Sequence, residues 1–431
     1  MNHLEAESHK EQLELPDRTQ EPINVSQFYE LSSAELRRIL GLTIKMDDDN
    51  KLIAFLCQLS AYTEGSQFNV IFNAPSSSGK SYIPLEVSDL FPSEDVMKLG
   101  NCSPNAFFHE QGIEDKKTNT ITVDLSRIII IFLDQPNPKL LERLRSLLSH
   151  DEKLMISKIT DKNQSGGNRT KTVVIKGYPA VIFCTVSSHL DEQESTRFLL
   201  LSPETSSEKV RQGIAHKVFK EADSGAYREQ LNSNEERNLL KLRIEAIKRE
   251  GITDINIPHP DQIIDRFLVD RTELKPRHQR DIGRLMNLIK SFALVNLWWR
   301  DRDGSVIVAN QSDIDDAFAL WDTLSISQEL NLPPYVHGIY KEVILPLWEL
   351  ALSKADTLSP PLGLTKLEIM GAYHSAYGRP VADWNLRQQI LPPLVLAGLI
   401  IEERHPTDGR ISLYRPTGLN SESDGGVNNS S

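Results

Sequence analysis

Residues 74–81 read Ala74-Pro75-Ser76-Ser77-Ser78-Gly79-Lys80-Ser81, a small residue, four variable positions and then Gly-Lys-Ser. That spacing suits a phosphate loop, in which backbone N–H groups of the loop and of the helix it opens wrap the phosphates of a nucleotide such as ATP. Gly79 lets the backbone approach closely, Lys80 reaches the β- and γ-phosphates, and the Ser81 hydroxyl ligates Mg2+. Ala74 stands where the pattern more often has glycine and asks for a slightly different turn into the loop. So loose a pattern matches by accident roughly a few times in a hundred chains of this length, so its context decides. The apolar run Phe68-Asn69-Val70-Ile71-Phe72 leads into the loop and SYIPLEVSDLF follows it, with Pro84 held to the first turn of the expected helix. The plainer alternative is a serine-rich surface turn with a lone lysine.

A second candidate is Asp134, which ends the apolar run Ile128-Ile129-Ile130-Ile131-Phe132-Leu133. A carboxylate at the end of a buried strand is placed to hold Mg2+ through water. Its neighbour is Gln135, where nucleotide hydrolases of this kind mostly carry Glu, and an amide cannot accept a proton. Either hydrolysis is slow, or Gln135 only orients the water while another carboxylate, such as Glu110 or Glu142, acts as base. Asp134 can also be read as a turn residue before Gln-Pro-Asn-Pro.

These groups need a scaffold. The runs Phe68–Phe72, Arg127–Asp134 and Ala180–Thr185 are continuous, apolar strand candidates separated by helical stretches. They predict an α/β fold with a parallel sheet covered on both faces. KLLERLRSLLSHDEK reads as an amphipathic helix, and MISKIT and TKTVVIK around a Ser-Gly-Gly-Asn turn predict a β-hairpin inserted in the sheet. Upstream, SSAELRRILGL opens with capping serines and KLIAFLCQLSAYTEG has a helical apolar face. Beyond Ser202 the chain reads as helical through SSEKVRQGIAHKVFKEA, NEERNLLKLRIEAIKRE and RHQRDIGRLMNLIKSFALVNLWW. From about Leu362, two helical patterns precede two strands around Pro-Thr-Asp-Gly, the order of a winged-helix module. There is no internal repeat.

With 431 residues and 25% charged side chains, the chain has the composition of a globular protein of two to three domains. Its formal charge of -12 excludes indiscriminate polycationic binding to nucleic acid. Seven of those charges lie at the ends, -5 in residues 1–30 and -2 in residues 419–431, and both ends read as disordered tails. Cys57, Cys102 and Cys184 show no paired spacing and read as reduced core thiols of a cytoplasmic protein. No apolar run is long enough for a membrane span and no secretion signal is present.

The order of elements resembles an AAA+ ATPase, and specifically resembles the minichromosome-maintenance (MCM) type of helicase and the MCM-like helicases of bacterial mobile elements. The resemblance covers roughly residues 45–330, and a winged helix follows as in that group. LDQPNPKLLERLRSLLSHDEKLMISKIT is similar to the family's Asp-Glu-Phe-Asp-Lys segment with its helix and rising hairpin, STRFLLL to its Ser-Arg-Phe-Asp segment, and RDIGRLMNLIKSFALVN to the helix of its second sensor. The resemblance implies that Thr185 is the first sensor, where the family usually has Asn. It implies that Arg197 is an arginine finger reaching the neighbour's nucleotide, and Arg280 the second sensor, with Arg277 and Arg284 as competitors. Two departures stand out: Gln135 replaces Glu, and the part before the ATPase is too short for the oligonucleotide-binding domain of MCM proteins.

Residues 153–176 hold six basic side chains and one acidic, a local +5. The resemblance places this hairpin in a ring's pore, where Lys158, Lys162, Arg169 and Lys171 would follow a DNA backbone; a solvated hairpin is the alternative. Residues 356–418 balance six basic against six acidic, leaving DNA and protein open as partners of the winged helix. The expected plan is an acidic tail (1–30), an AAA+ core (31–205), a helical lid (206–330), a connecting helix (331–355), a winged helix (356–418) and a tail (419–431). The expected activity is that of a Mg-ATP-dependent motor on DNA, a replicative or mobile-element helicase working as a hexameric ring. The alternative is an ATP-gated initiator, loader or regulator with little hydrolysis.

Overall fold

The computed structural model describes residues 22–100, 102–103, 106–108, 112–115, 118–161, 169–186, 196–269, 271, 273–355 and 361–418. Its first elements are helices α1 (Ser33–Leu40) and α2 (Asp48–Ser60). Ser32 and Glu35 form a reciprocal capping box that starts α1, as the serine signal predicts. Five strands make the central sheet: β1 (Asn69–Asn73), β2 (Val96–Leu99), β5 (Ile129–Phe132), β8 (Ala180–Thr185) and β9 (Phe198–Leu201). Their order is β2-β5-β8-β1-β9, and every pairing is parallel. Helices α3 (Tyr82–Ser88) and α4 (Pro138–Leu148) are among the crossovers.

The period of two along each strand decides which helices it meets. Val70, Phe72, Ile129, Ile131, Ile182, Cys184, Leu199 and Leu201 face one core, filled from the other side by α2 and by later helices. Ile71, Ile130, Phe132, Val181, Phe183, Phe198 and Leu200 face a second core built with α4. Both faces are thus dry, which is why these strands read as unbroken apolar runs. Ile182 sits fully buried on the middle strand, so its truncation to Ala costs about 2–5 kcal/mol. The outer edge of β9 is closed by a side chain: the Gln328 amide accepts from Leu200 N–H (3.0 Å) and donates to Leu200 C=O (2.8 Å), standing in for a further strand.

The predicted hairpin exists as β6 (Leu154–Asp161) and β7 (Arg169–Lys176), but it is not inserted in the central sheet. It belongs to a separate four-stranded sheet with β3 (Ile113–Asp115) and β4 (Thr120–Asp124), in the order β3-β4-β7-β6. Alternation again explains this: Val173 and Ile175 of β7 join Val123 of β4 in the second core, so the hairpin needs a partner strand beneath it.

After β9 come α5 (Ser207–Ala222), α6 (Ser224–Asn232), α7 (Glu235–Glu250), α8 (Pro260–Leu268), α9 (His278–Val295) and α10 (Gln311–Glu329). Between them lies a small sheet the sequence reading lacks, formed by β10 (Asp254–Asn256), β11 (Asp301–Asp303) and β12 (Val306–Val308). The last unit has α11 (Pro334–Ile339), α12 (Leu345–Lys354), a short strand β13 (Leu364–Thr365), α13 (Lys366–Tyr377), α14 (Leu391–Leu396) and the hairpin β14 (Ile400–Arg404) with β15 (Ser412–Pro416). Leu332 to Ile344 share one core with this hairpin and α13. The expected order helix, helix, hairpin is therefore present from Lys366 onward.

The last part of the expected acidic tail (1–30) packs against the core. Residues 1–21 lie outside the described part, as do residues 419–431, but Phe28 and Leu31 are buried. The cause is a buried arginine. Arg243 donates to Val295 C=O (2.9 Å) and to Tyr29 C=O, and its guanidinium lies over the rings of Phe28, Trp298 and Trp299. The Asn296 amide adds two bonds to the backbone of Leu31 (2.9 and 2.8 Å). All three cysteines are buried, and none takes part in a disulfide. No helix among the described residues is long and apolar enough to cross a membrane.

Candidate functional site

The loop Ala74–Ser81 leaves the C-terminal end of β1 and runs into α3. Ser77 (φ 65°) and Gly79 (φ 90°) take left-handed backbone, which glycine adopts freely and other residues only at a cost. Such residues in a tight loop turn N–H groups into a concave nest for an anion. Ser78 Oγ is buried with no hydrogen-bond partner among the described residues, and Lys80 Nζ folds over its own loop, 3.5 Å from Pro75 C=O. The loop thus fits a phosphate group: it carries donors that its own chain leaves unused.

Strand β8 lies between β1 and β5, so its last residue stands between the loop and Asp134. Ala74 N–H donates to Thr185 C=O (3.2 Å), and Thr185 Oγ1 donates to Gln135 Oε1 (3.0 Å). Gln135 N–H in turn donates to Asp134 Oδ1 (2.8 Å). Asp134 is exposed, two residues beyond the end of β5, and is free to face a hydrated cation. Cys184 Sγ donates to Lys80 C=O (3.4 Å) and is no nucleophile, since burial pushes its thiol up to about 12. The structure therefore brings together Ala74 to Ser81, Asp134, Gln135 and Thr185 at one end of the sheet. Ser81 and Asp134 are the residues that would hold Mg2+, which would neutralise developing phosphate charge. Of the alternative bases, Glu142 is exposed on α4 and Glu110 lies outside the described residues.

Beside the loop is a cavity of about 570 Å³, lined by Ser77, Ser78, Gly79, Tyr82, Ile44 and the α5 side chains Val210 and Ile214. No residue of α5 is buried, because its apolar stripe overlooks this cavity. Three residues absent from the sequence reading frame its mouth. Asp47 and Glu204 exchange bonds, Asp47 N–H to Glu204 Oε1 (3.1 Å) and Glu204 N–H to Asp47 Oδ1 (2.7 Å), and Lys209 pairs with Asp47. Lys209 Nζ comes within 3.9 Å of where a side chain at Gly79 would start. Burial, followed by the Asp47 charge, raises the Glu204 carboxyl above its ordinary range. Asp47 opens α2 in left-handed backbone.

Arg197 and Arg280 lie elsewhere. Arg197 precedes β9, which runs parallel to β1 with Asn69 opposite Phe198 and Phe72 opposite Leu201. The arginine is therefore at the N-terminal end of the strands, across a sheet about 13 Å deep from the loop. It lines a second cavity of about 460 Å³ with Ser149, His150, Thr196, Arg280, Arg284 and Lys290. Arg197 Nε donates to Ser149 Oγ, Arg280 to Thr196 Oγ1 and Arg284 to Thr196 C=O. Asp281 holds Arg284 (2.8 Å) and Arg277 (3.2 Å). Burial lowers the Arg284 guanidinium to about 10, which still leaves it charged at neutral pH. Of the three candidates for a second sensor, Arg280 and Arg284 both touch the residue before Arg197.

The basic hairpin is less positive than its sequence. Lys171 pairs with Glu114 (2.9 Å), Lys176 with Asp124 (2.9 Å) and Lys153 with Glu64 (2.9 Å), three carboxylates from other segments. Lys158 is exposed on β6, beside exposed Leu154 and Ile156. Lys162 and the Arg169 side chain lie outside the described residues.

No family model matches the sequence, and no curated protein sequence matches it. Among solved structures, the chain is similar to a full-length MCM homologue from Methanopyrus kandleri at 12% identity and a TM-score of 0.39 over 69% of this chain. It spans 62% of that homologue's length. It is also similar to a protein from Cytophaga hutchinsonii provisionally named an ATPase, at 14% identity and a TM-score of 0.33, over 68% of this chain and 85% of that one.

Proposed function

We propose that this chain is a Mg-ATP-dependent AAA+ ATPase of MCM-like type that works as a homo-oligomeric ring on DNA. The observation that carries this reading is the placement of Arg197 and Arg280 at the opposite end of the sheet from Ala74 to Ser81. A phosphate loop without a transition-state arginine, and an arginine end without a phosphate loop, complete each other when copies stack head to tail. Lys80 and the loop N–H groups bind the β- and γ-phosphates, Ser81 and Asp134 hold Mg2+, and Gln135 with Thr185 orients the attacking water. Arg197 and Arg280 of the neighbour stabilise the charge on the transferring phosphoryl group. A helicase or translocase follows if Lys158, Lys162 and Arg169 reach single-stranded DNA in the ring's pore, with the winged-helix unit at its rim.

The test mixes two inactive variants. Lys80→Ala and Arg197→Ala each lack turnover alone, and their mixture regains part of it at interfaces that pair an intact loop with an intact arginine. A monomer that hydrolyses ATP independently of concentration, or full turnover by both variants, overturns the proposal.

The second reading, an ATP-gated assembly factor that hydrolyses ATP barely at all, is favoured by the Gln135 to Thr185 bond. It commits the Gln135 carbonyl oxygen, and the remaining amide N–H2 is a donor that cannot remove a proton. Gln135→Glu with at least tenfold faster turnover supports this reading; unwinding of forked DNA by the wild type removes it.

A further inference from the structure

The α9 arginines line the far cavity, so the cavity beside the phosphate loop has no arginine from the lid helices. It has five other cations: Lys45, Lys209, Lys217, Lys220 and Arg379. Four are engaged within the chain. Lys45 donates to Gly41 C=O (2.8 Å) and Leu42 C=O (3.1 Å), Lys209 pairs with Asp47, Lys220 with Glu86 (3.0 Å) and Lys217 with Glu221 (3.7 Å). Arg379 is the exception. It has neither a hydrogen bond nor an ion pair among the described residues, although it lines this cavity and the adjoining one of about 300 Å³ that reaches Pro75.

Arg379 comes from the C-terminal unit. Helix α13 ends at Tyr377, left-handed Gly378 (φ 67°) turns the chain, and Arg379 follows at the mouth shared with Glu204 and Thr205. The other arginines of the unit are occupied: Arg387 pairs with Asp383 (3.6 Å), Arg410 with Asp408 (3.0 Å), Arg415 with Glu403 (3.2 Å), and Arg404 donates to Gly409 C=O (3.3 Å). A guanidinium is a rigid fork of donors matched to phosphate oxygens, and it gains most where no carboxylate competes.

We infer that Arg379 binds the phosphates of a nucleotide held by the same chain's own loop, so that nucleotide binding ties the C-terminal unit to the ATPase core. This rests on the reading of Ala74 to Ser81 as a phosphate loop. The cavity meets the loop at Ser77, Ser78 and Gly79 rather than at Lys80 and Ser81, so the contact falls on phosphates that ADP and ATP share.

The experiment uses the full chain with Mg-ADP and Mg-ATP, measuring affinity by titration and amide hydrogen exchange in residues 366–390. Arg379→Ala is expected to weaken both nucleotides to the same degree, about tenfold or more. Arg379→Lys falls between, and Arg387→Ala, on the same unit, binds as the wild type does. Saturating ADP slows exchange in α13 of the wild type, and the protection is lost in Arg379→Ala even when saturated. A purely structural role would instead lower the melting temperature of the ligand-free variant and leave no intermediate value for Arg379→Lys. Wild-type affinity and protection in Arg379→Ala overturn this inference alone. A wild-type chain that binds neither nucleotide overturns the phosphate-loop reading and this inference together.

Discussion

The two ends of the central sheet enclose cavities of similar size, about 570 Å³ beside Ser77 to Gly79 and about 460 Å³ beside Arg197, and both are rich in cations. They differ in how far their polar groups are already committed. At the loop end the donors are backbone N–H groups of a tight loop, Ser78 Oγ lacks a partner among the described residues, and Asp134 is exposed. At the arginine end each guanidinium is held before any ligand arrives, Arg197 by Ser149 and Arg280 and Arg284 by Thr196, with Asp281 behind. A preorganised charge stabilises a transition state without reorganising. An uncommitted loop is what a tightly held ligand must complete. Under the proposed function, the difference assigns binding to one end and the completion of catalysis to the other, and it can be broken by experiment.

The largest expected effect is at the loop end. Lys80→Ala removes the cation nearest the phosphates and is expected to weaken ATP binding by about 100-fold or more, whereas Arg197→Ala leaves the affinity of an isolated chain within about twofold and abolishes turnover. Titration of ATP against each variant checks this. Equal losses of affinity in the two variants would erase the distinction between the ends.

Stability should show the opposite asymmetry. Arg284 is buried and bonds both Asp281 and the Thr196 carbonyl, so Arg284→Ala leaves a buried carbonyl and half of an ion pair behind. The expected cost is about 3 kcal/mol, less than for a pair with no substitute, because Arg277 still reaches Asp281. Denaturant unfolding measures it. A loss below about 1 kcal/mol would mean that the arginine end is no more rigid than a surface ion pair.

The pH dependence separates the ends as well. His150 lines the arginine cavity, and burial lowers its pKa to about 4 while its ring packs against Tyr178 at 4.7 Å. The unfolded chain binds this proton near its ordinary value of about 6.5, so the unfolded state gains protons first as pH falls. The stability that neutral His150 contributes is complete above about pH 6.5 and is lost as pH drops toward 4. The loss amounts to about 2–3 kcal/mol. His150→Gln should flatten the unfolding free energy across that window; an unchanged slope would show that another group sets it.

What was legible in the sequence follows the same division. The loop and Asp134 are set by local spacing and by a strand end, so eight consecutive residues and one apolar run locate them, whereas the role of Thr185 rests on the resemblance. Asp47, Glu204 and Lys209 escaped because their contacts join segments 157 residues apart. The arginine end is legible only as far as resemblance points to Arg197 and Arg280; Ser149 and Thr196, which hold them, lie in the resembling segments without a role the resemblance assigns. Charge counting overstated the hairpin, since Glu64, Glu114 and Asp124 come from outside the counted window. Strands of three or four residues, such as β2 and β10 to β12, are too short to show a period. Phe28 was read with its acidic surroundings, although the surface that buries it lies near Trp298.

The smallest effect concerns a single bond at the loop end. Thr185 is fully buried, and its hydroxyl donates to Gln135 Oε1 at 3.0 Å. Thr185→Val keeps the shape and removes the donor, leaving the Gln135 carbonyl unpaired. Gln135 is partly exposed, so water can replace the lost partner, and the expected cost is about 1 kcal/mol or less. At the arginine end Thr196 and Arg284 are both buried, so loss of the Arg284 donor falls on a drier group. Binding of ADP should survive in Thr185→Val, because the loop N–H groups do not depend on this hydroxyl. ATP turnover should fall, because a Gln135 side chain released from Thr185 no longer holds one orientation toward the attacking water. Unfolding and single-turnover measurements on the same variant decide the point. A stability loss as large as that of Arg284→Ala would mean that the loop end is as firmly pre-bonded as the arginine end, and the division of labour between them would have to be abandoned.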